Sequence, residues 1–125
     1  MNKHVTLLYV DDEPLNLLLF EINFKKKYRV ITATSGFEGL EKLQGNHDII
    51  IVISDMKMPG MNGLEFITEA RKLFHKNAYF ILTAFDINNE IQAALDSKLI
   101  HRCFSKPFNI QEIDKAIEAF IQNLA

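Results

Sequence analysis

Five residues of this sequence have side chains that could share one piece of chemistry if the fold brings them together. The acidic pair Asp11 and Asp12 follows the apolar run VTLLYV, and Asp55 follows the apolar run IIIVIS. Thr83 ends a third run, YFILT, and Lys106 follows a fourth short segment, RCFS. Carboxylates bind hard cations or attack electrophiles, while a hydroxyl and an ammonium group can hold the oxygens of an anion.

The elements that carry these residues are predicted by a regular alternation of apolar patterns. Segments mostly rich in β-branched and aromatic residues predict five strands, at 5–10, 28–33, 49–54, 79–83 and 102–105. The third is apolar almost throughout, which is typical of a parallel strand covered on both faces. Helical periodicity fills the segments between the strands and the end of the chain. Five strands that alternate with five helices predict an α/β fold with a doubly wound parallel sheet.

Each predicted helix carries an apolar stripe that we expect to pack on the sheet. Pro14 suits the first turn of the first helix, and Ser35 is a candidate N-cap of the second. From the first helix to the fifth, the stripes are Leu15, Leu18, Leu19 and Ile22; Phe37, Leu40 and Leu43; Leu64, Ile67, Ala70 and Phe74; Ile87, Ile91, Ala94 and Leu95; and Ile110, Ile113, Ile117, Phe120, Ile121 and Leu124.

The predicted sheet gives the five polar residues a common location. Sites in such sheets lie at the carboxyl ends of the strands, and a flavodoxin-like order 2-1-3-4-5 makes strands 1, 3, 4 and 5 neighbours. Three carboxylates and one lysine in that crevice leave an excess of negative charge, and crowded carboxylates recruit a cation. Mg²⁺ fits best because it takes oxygen ligands and commonly bridges carboxylates to a phosphate. The sequence has no cluster of histidine and cysteine that would favour zinc.

A crevice of this composition is suited to phosphoryl transfer. A carboxylate beside Mg²⁺ and a lysine can attack phosphorus and form an acyl phosphate. Asp55 is the best candidate nucleophile because it stands alone after a central strand. Lys106 and the Thr83 hydroxyl, together with the cation, are available to hold the phosphoryl oxygens. Taken alone, Asp11 and Asp12 could simply cap a turn, so the prediction depends on the joint placement of all these residues.

Four motifs carry a resemblance to a known family. LYVDDEP, SDMKMPGMNG, LTA and SKPF stand in this order at suitable spacings, and together they extend over essentially the whole chain. The chain resembles a response-regulator receiver domain of two-component signalling, similar to the single-domain chemotaxis regulator. The resemblance implies that residues 1–125 form one receiver domain, and the starting Met and the end at Ala125 favour a stand-alone regulator over an excised one.

The resemblance also implies a role for each residue of the acidic crevice. Asp55 would be the phosphoacceptor, and Asp12 and Asp55 would bind Mg²⁺ through their carboxylates. Asp11 would belong to the same acidic metal pocket. Lys57 would contribute its backbone carbonyl, not its side chain, to the metal.

The remaining motif residues would form the switch. By resemblance, Thr83 moves its hydroxyl to the phosphoryl group, and Ala84 is small enough to leave it room. Lys106 would pair with the phosphoryl oxygens, and its bond to Pro107 is often cis in the family. Phosphorylation would alter the face formed by helix 4, strand 5 and helix 5, which is also the expected surface for a downstream effector or a homodimer.

The sequence departs from the family at Cys103, which occupies the place of the usual switch aromatic three residues before Lys106. Phe104 or His101 could compensate for this change. Lys57 and Phe85, each two residues after a site residue, flank the expected attack path of water and could tune the lifetime of the phosphorylated state. Met56, Met58 and Met61 are expected to pack as adaptable filler around the turn that follows Asp55.

Composition bounds the class of protein and its partners. The 125 residues carry a net charge of −2, which gives no basic footprint for direct nucleic-acid binding. No apolar stretch approaches 18 residues and no signal peptide is present, so no membrane partner and a cytoplasmic location are expected. The resemblance implies that a histidine kinase or a histidine phosphotransfer protein supplies the phosphoryl group to a chain that is not otherwise an enzyme.

Three other functions remain as alternatives. A pseudo-receiver would dock partners without responding to phosphorylation, and Cys103 keeps that possibility open. A phosphatase with an aspartyl-phosphate intermediate, of the haloacid-dehalogenase type, would place its acids as Asp-x-Asp after strand 1, whereas Asp11 and Asp12 are adjacent. A flavin or nucleotide carrier would need a phosphate-binding loop there, and the acidic sequence DDE would repel phosphate.

Overall fold

The computed structural model describes residues 4–84 and 87–124. Five strands are present: β1 (Thr6–Val10), β2 (Arg29–Ala33), β3 (Ile49–Asp55), β4 (Ala78–Thr83) and β5 (Arg102–Ser105). They alternate with five helices: α1 (Pro14–Phe24), α2 (Gly36–Gly45), α3 (Gly63–Leu73), α4 (Asn89–Asp96) and α5 (Ile110–Leu124). The predicted strands lie within one residue of these bounds at each end.

The strands form one parallel sheet in the order β2-β1-β3-β4-β5, as predicted. Two clusters of buried apolar residues cover its faces. One contains Phe20 and Phe24 of α1 with Ile113 and Ile117 of α5, and the other contains residues of α2, α3 and α4. The sheet is therefore doubly wound, with helices on both sides, which explains why the central strand β3 is apolar almost throughout.

The predicted stripe of α1 is wrong. Leu15, Leu18, Leu19 and Ile22 are all exposed, and Leu18 keeps 51% of its surface. Phe20 and Phe24 face the sheet instead, and Phe20 is fully buried. The sequence PLNLLLFEINF is apolar on nearly every side, so periodicity alone does not define the buried face. Burying the two large rings, which stack at a centroid distance of 4.4 Å, removes more apolar area from water than burying aliphatic residues.

The other four stripes are correct at their centres and wrong at some of their ends. Phe37, Ile87 and Leu124 are exposed, and Ile110 lies at the limit of exposure. The remaining members are buried or partly buried, as expected of a face that packs on the sheet. The N-cap prediction for α2 is confirmed, because the Ser35 side chain accepts a hydrogen bond from the Glu38 N–H.

The turn from β3 into α3 is shaped by glycines and a helix cap. Gly60 has φ of 79°, a left-handed conformation that favours glycine. A Cβ atom on Gly63 would clash with the Asp55 carbonyl oxygen, so only glycine allows this close approach. Asn62 and Glu65 form a capping box at the start of α3. Within residues 4–84 and 87–124, no helix has the length and apolar character needed to cross a bilayer.

Candidate functional site

The carboxyl edge of the sheet brings the predicted site residues together. Asp55 is the last residue of β3, and Thr83 is the last residue of β4. Asp11 directly follows β1, and Lys106 directly follows β5. The Lys106 N–H donates to the Thr83 carbonyl at 2.8 Å, which ties the lysine to its neighbouring strand. Parallel pairing aligns these four strand ends, so residues far apart in the sequence share one crevice.

Three carboxylates in this crevice could hold a metal ion. Asp11, Asp12 and Asp55 each offer an oxygen, and these oxygens all lie within 4.8 Å of one another. Asp11 and Asp55 are buried, whereas Asp12 is partly exposed. Three negative oxygen donors, with an open side at Asp12, fit a hard divalent cation such as Mg²⁺ better than a soft one. The residues present therefore fit the predicted cation.

Lys106 forms ion pairs with two of the carboxylates. Its Nζ lies 2.9 Å from Asp55 Oδ1 and 3.4 Å from Asp11 Oδ2. The lysine side chain is mostly buried, as are both acids, so solvent screens these charges poorly. An ammonium group in this position can hold an anionic oxygen bonded to Asp55.

The charges of Asp55 and Lys106 influence each other. Burial raises the pKa of Asp55, the hydrogen bond from Lys106 opposes this change, and the negative charge of Asp11 adds to it; the net shift is upward. Burial lowers the pKa of Lys106, but the hydrogen bond to Asp55 and the surrounding negative charge outweigh burial, and the net shift is also upward. Lys106 is therefore firmly protonated, while Asp55 is a carboxylate whose charge is only partly compensated.

Thr83 and Lys57 lie on the side of the crevice towards α4. A surface cleft there is lined by Lys57 and Thr83 together with Met56, Asn62, Asn88 and Glu90. Thr83 is buried, while Lys57 and Ala84 are exposed. Met56, Met58 and Met61 are buried or partly buried, and they pack against the core as predicted. Phe85, the other residue expected to tune the site, lies outside the described residues.

Cys103 and Phe104 occupy opposite faces of β5. Cys103 is half-buried on the α4 side, where burial raises the pKa of its thiol. Phe104 is buried on the other side, edge-on to Phe80 at 5.6 Å, so its ring belongs to the core. His101 packs against Phe120 at 5.9 Å. The Lys106–Pro107 peptide bond is cis.

Two residues of the site were not predicted from the sequence. The Tyr9 hydroxyl donates to Asp11 Oδ2 at 2.8 Å, and the Asn16 amide donates to the same oxygen at 3.2 Å. Tyr9 precedes Asp11 by two positions, so the alternation of side chains in a strand gave a signal for Tyr9. Asn16 was indicated only by being the one polar residue in the apolar start of α1.

Comparison with known proteins finds sequence similarity along most of the chain. The family model described as "Response regulator receiver domain" matches residues 7–118. Sporulation initiation phosphotransferase F of Bacillus subtilis (strain 168) is 30% identical over 117 residues, which are 92% of each chain. Sensor histidine kinase RcsC of Escherichia coli is 32% identical over 124 residues, and the match covers only 13% of that longer protein.

Solved structures show the same fold. A response regulator receiver domain protein from Clostridium thermocellum has a TM-score of 0.85 and 28% identity, with 95% of both chains covered. The response regulator TrrA from Thermotoga maritima, in complex with Mg(2+)-BeF, has a TM-score of 0.80 and 30% identity, with 93% of this chain and 98% of that chain covered. From the family match over most of its length, the chain belongs to the response regulator receiver domain family.

Proposed function

We propose that residues 1–125 act as a single receiver domain whose Asp55 accepts a phosphoryl group from a histidine kinase or a histidine phosphotransfer protein. The observation that carries this proposal is the Asp55–Lys106 ion pair of 2.9 Å within a cluster of three carboxylates. The proposed signal is a change in charge at the carboxyl edge of the sheet. Beyond slow self-dephosphorylation, no turnover of other substrates is proposed.

The transfer is a displacement at phosphorus. A carboxylate oxygen of Asp55 forms the new O–P bond while the N–P bond of the donor phosphohistidine breaks. The electron pair of that bond returns to the imidazole nitrogen, which takes a proton from solvent. Lys106 holds a phosphoryl oxygen, and the Thr83 hydroxyl donates to another. The hydroxyl lies on the last residue of β4, next to the α4 side of the crevice.

Mg²⁺ is the proposed cofactor. The carboxylates of Asp12 and Asp55 and the backbone carbonyl of Lys57 would hold it, with Asp11 completing the acidic pocket. When bound, the cation neutralises charge on the carboxylates and on the phosphoryl group. The fit of three oxygen donors to a hard cation supports this proposal.

The surface of α1 supports docking of the protein that donates the phosphoryl group. The exposed residues Leu15, Leu18, Leu19 and Ile22 form one stripe on α1. Leu19 of this stripe lines a groove that also contains Asn23 and Pro107 and reaches Lys106. A donor protein must cover this edge of the sheet to reach Asp55, and burial of the apolar stripe in that contact would stabilise the complex. Leu18→Gln should therefore slow transfer from a donor protein but not phosphorylation by a small phosphodonor.

We propose that phosphorylation alters the face formed by α4, β5 and α5, and that this face binds a downstream effector or a second copy of the chain. Thr83 connects the crevice to this region, because its strand pairs with β5 and its side chain borders the cleft next to α4. We also propose that the chain acts in the cytoplasm and does not bind a membrane or nucleic acid directly.

The test is incubation with acetyl phosphate and Mg²⁺, followed by intact mass measurement. We expect one phosphoryl adduct that is stable to acid, labile to base and absent in Asp55→Asn. Asp48→Asn is the matched control, because it removes a surface carboxylate paired with Arg29 at 2.8 Å. Failure to form an adduct that depends on Asp55 would rule out the switch, and rapid turnover of an external phosphomonoester would favour a phosphatase instead.

The second candidate function is a pseudo-receiver, favoured by Cys103 in place of the switch aromatic. The complete acidic cluster with Lys106 opposes it, since docking alone needs no such site. Beryllofluoride, which mimics a phosphoryl group, separates the two. A receiver should change its partner binding or self-association on addition of beryllofluoride, whereas a pseudo-receiver should not.

A further inference from the structure

The Asp11 carboxylate accepts hydrogen bonds from several groups in addition to its place in the acidic cluster. Its Oδ1 accepts the Glu13 N–H at 3.0 Å. Its Oδ2 accepts the Tyr9 hydroxyl at 2.8 Å and the Asn16 amide at 3.2 Å, and Lys106 Nζ lies 3.4 Å from the same oxygen. The donors are therefore unevenly divided, with Oδ2 taking most of them. Since the carboxylate is fully buried, its orientation is fixed by these contacts.

Tyr9 is placed so that it can act only as a donor to Asp11. The tyrosine is fully buried on β1, and its ring stacks on Phe20 at a centroid distance of 4.2 Å with an interplanar angle of 5°. The hydroxyl donates to the Asp11 carboxylate, and the stacked ring limits how far it can move.

Neutral donors suit a carboxylate that must also attract a cation. Tyr9 and Asn16 occupy Oδ2 without adding a positive charge, whereas Lys106 lies nearer to Asp55 than to Asp11. Among the residues described, the Glu13 N–H is the one hydrogen-bond donor to Oδ1. That oxygen therefore keeps lone-pair capacity for a cation or for water bound to one.

We infer that Tyr9, assisted by Asn16, is a positioning residue that orients Asp11 for cation binding. This inference rests on the Mg²⁺ site of the proposed function. It adds that a tyrosine on β1 and an asparagine on α1 hold one carboxylate of that site in place. A hydrogen-bond partner that orients a metal-site ligand typically changes metal affinity by about 10- to 100-fold when it is removed.

The test is the substitution Tyr9→Phe, which removes the hydroxyl and keeps the stacked ring. Mg²⁺ binding to the unphosphorylated chain is measured directly by isothermal titration calorimetry at constant pH. We expect about tenfold weaker binding. Tyr79→Phe is the matched control, because its buried hydroxyl donates to the Phe74 carbonyl at 2.7 Å and has no contact with the acids. It should lose similar stability and keep wild-type Mg²⁺ affinity.

Asn16→Ala provides a second variant on the partly exposed surface of α1, and it should weaken Mg²⁺ binding in the same direction. It decides the question if Tyr9→Phe does not fold. Saturating Mg²⁺ should restore most of the phosphorylation of both variants by acetyl phosphate, because the defect lies in cation affinity.

The outcomes separate this inference from the proposed function. Unchanged Mg²⁺ affinity in Tyr9→Phe, or an equal loss in Tyr79→Phe, would overturn the role of Tyr9 while the site itself stands. Wild-type protein that binds no Mg²⁺ would overturn both. Normal Mg²⁺ binding by the wild type without any phosphoryl adduct would reject the switch and leave the role of Tyr9 intact.

Discussion

At the scale of single residues, Lys106 lies between two carboxylates, and its charge affects two events in opposite directions. Its ammonium group is 2.9 Å from Asp55 Oδ1 and 3.4 Å from Asp11 Oδ2, in a poorly screened environment. A positive charge there opposes the binding of a second cation by the same carboxylates. The same charge stabilises the extra negative charge that arrives with a phosphoryl group.

Lys106→Met should therefore bind Mg²⁺ more tightly, by about three- to tenfold, and accept a phosphoryl group more slowly. Calorimetry of the unphosphorylated protein measures the first effect, and the rate of adduct formation with acetyl phosphate measures the second. Lys27→Met removes a lysine paired with Asp114 at 2.9 Å and serves as the control. Weaker Mg²⁺ binding by Lys106→Met would show that the lysine supports the cation site instead of competing with it.

At the scale of elements, α1 presents most of its aliphatic residues to solvent and its aromatic residues to the core. Leu18→Gln should change the free energy of unfolding by no more than about 0.5 kcal/mol, as is usual for surface positions. Phe20→Ala should cost about 3–5 kcal/mol, because it leaves a cavity where the ring stacks on Tyr9 and Phe24. Urea unfolding of the two variants measures both values. A large loss of unfolding free energy in Leu18→Gln would show that the stripe predicted from periodicity is the buried face of α1.

The edge strand β5 is joined to β4 by a side chain as well as by its backbone. The backbone N–H of His101 donates to the Tyr79 carbonyl at 2.8 Å, and the ring Nδ1 of His101 accepts the backbone N–H of Tyr79 at 3.2 Å. Burial and the positive charge of Arg71 lower the pKa of His101 below its usual value of 6.5. A protonated Nδ1 carries a hydrogen and can no longer accept the Tyr79 N–H, so protonation would break the hydrogen bond between them.

Because the pKa of His101 is lower in the folded state, the stability linked to it is complete above pH 6.5 and declines as the pH falls below that value. His101→Gln should remove this part of the pH dependence. Chemical unfolding at several pH values between about 7 and 5 measures the slope. His75→Gln controls for the loss of a surface histidine, and an unchanged slope in His101→Gln would contradict the assignment.

At the scale of the whole molecule, the sequence predicts the features that depend on chain direction and strand ends. Parallel strands align their carboxyl ends, so Asp11, Asp55 and Lys106 could be placed in one crevice without knowledge of any side-chain contact. Contacts across elements were not predictable in this way. Asn16 reaches Asp11 from α1, and the buried face of α1 depends on which residues fill the space above the sheet.

If the acidic site binds Mg²⁺ as proposed, the stability of the whole chain should depend on the cation. Burial raises the pKa of Asp55 despite the ion pair with Lys106, so its ionised form is disfavoured in the folded state. A carboxyl group with a raised pKa binds protons more tightly when folded, and its contribution to stability falls as the pH rises above its usual value of 3.8. Without Mg²⁺ at neutral pH, Asp55→Asn should therefore be more stable than the wild type.

Added Mg²⁺ should reverse this order, because a cation that binds only the folded chain stabilises it by RT ln(1 + c/Kd), where c is the concentration of free Mg²⁺. The melting temperature of the wild type should rise with Mg²⁺ concentration, while that of Asp55→Asn should rise much less. The rise should also shrink as the pH falls, since protons compete with the cation for Asp55. Asp48→Asn, which changes a carboxylate outside the cluster, should follow the wild type. If Asp55→Asn and the wild type respond equally to Mg²⁺, Asp55 does not bind the cation. If Asp55→Asn is no more stable than the wild type without Mg²⁺, charge crowding at the strand ends does not limit the stability of the fold.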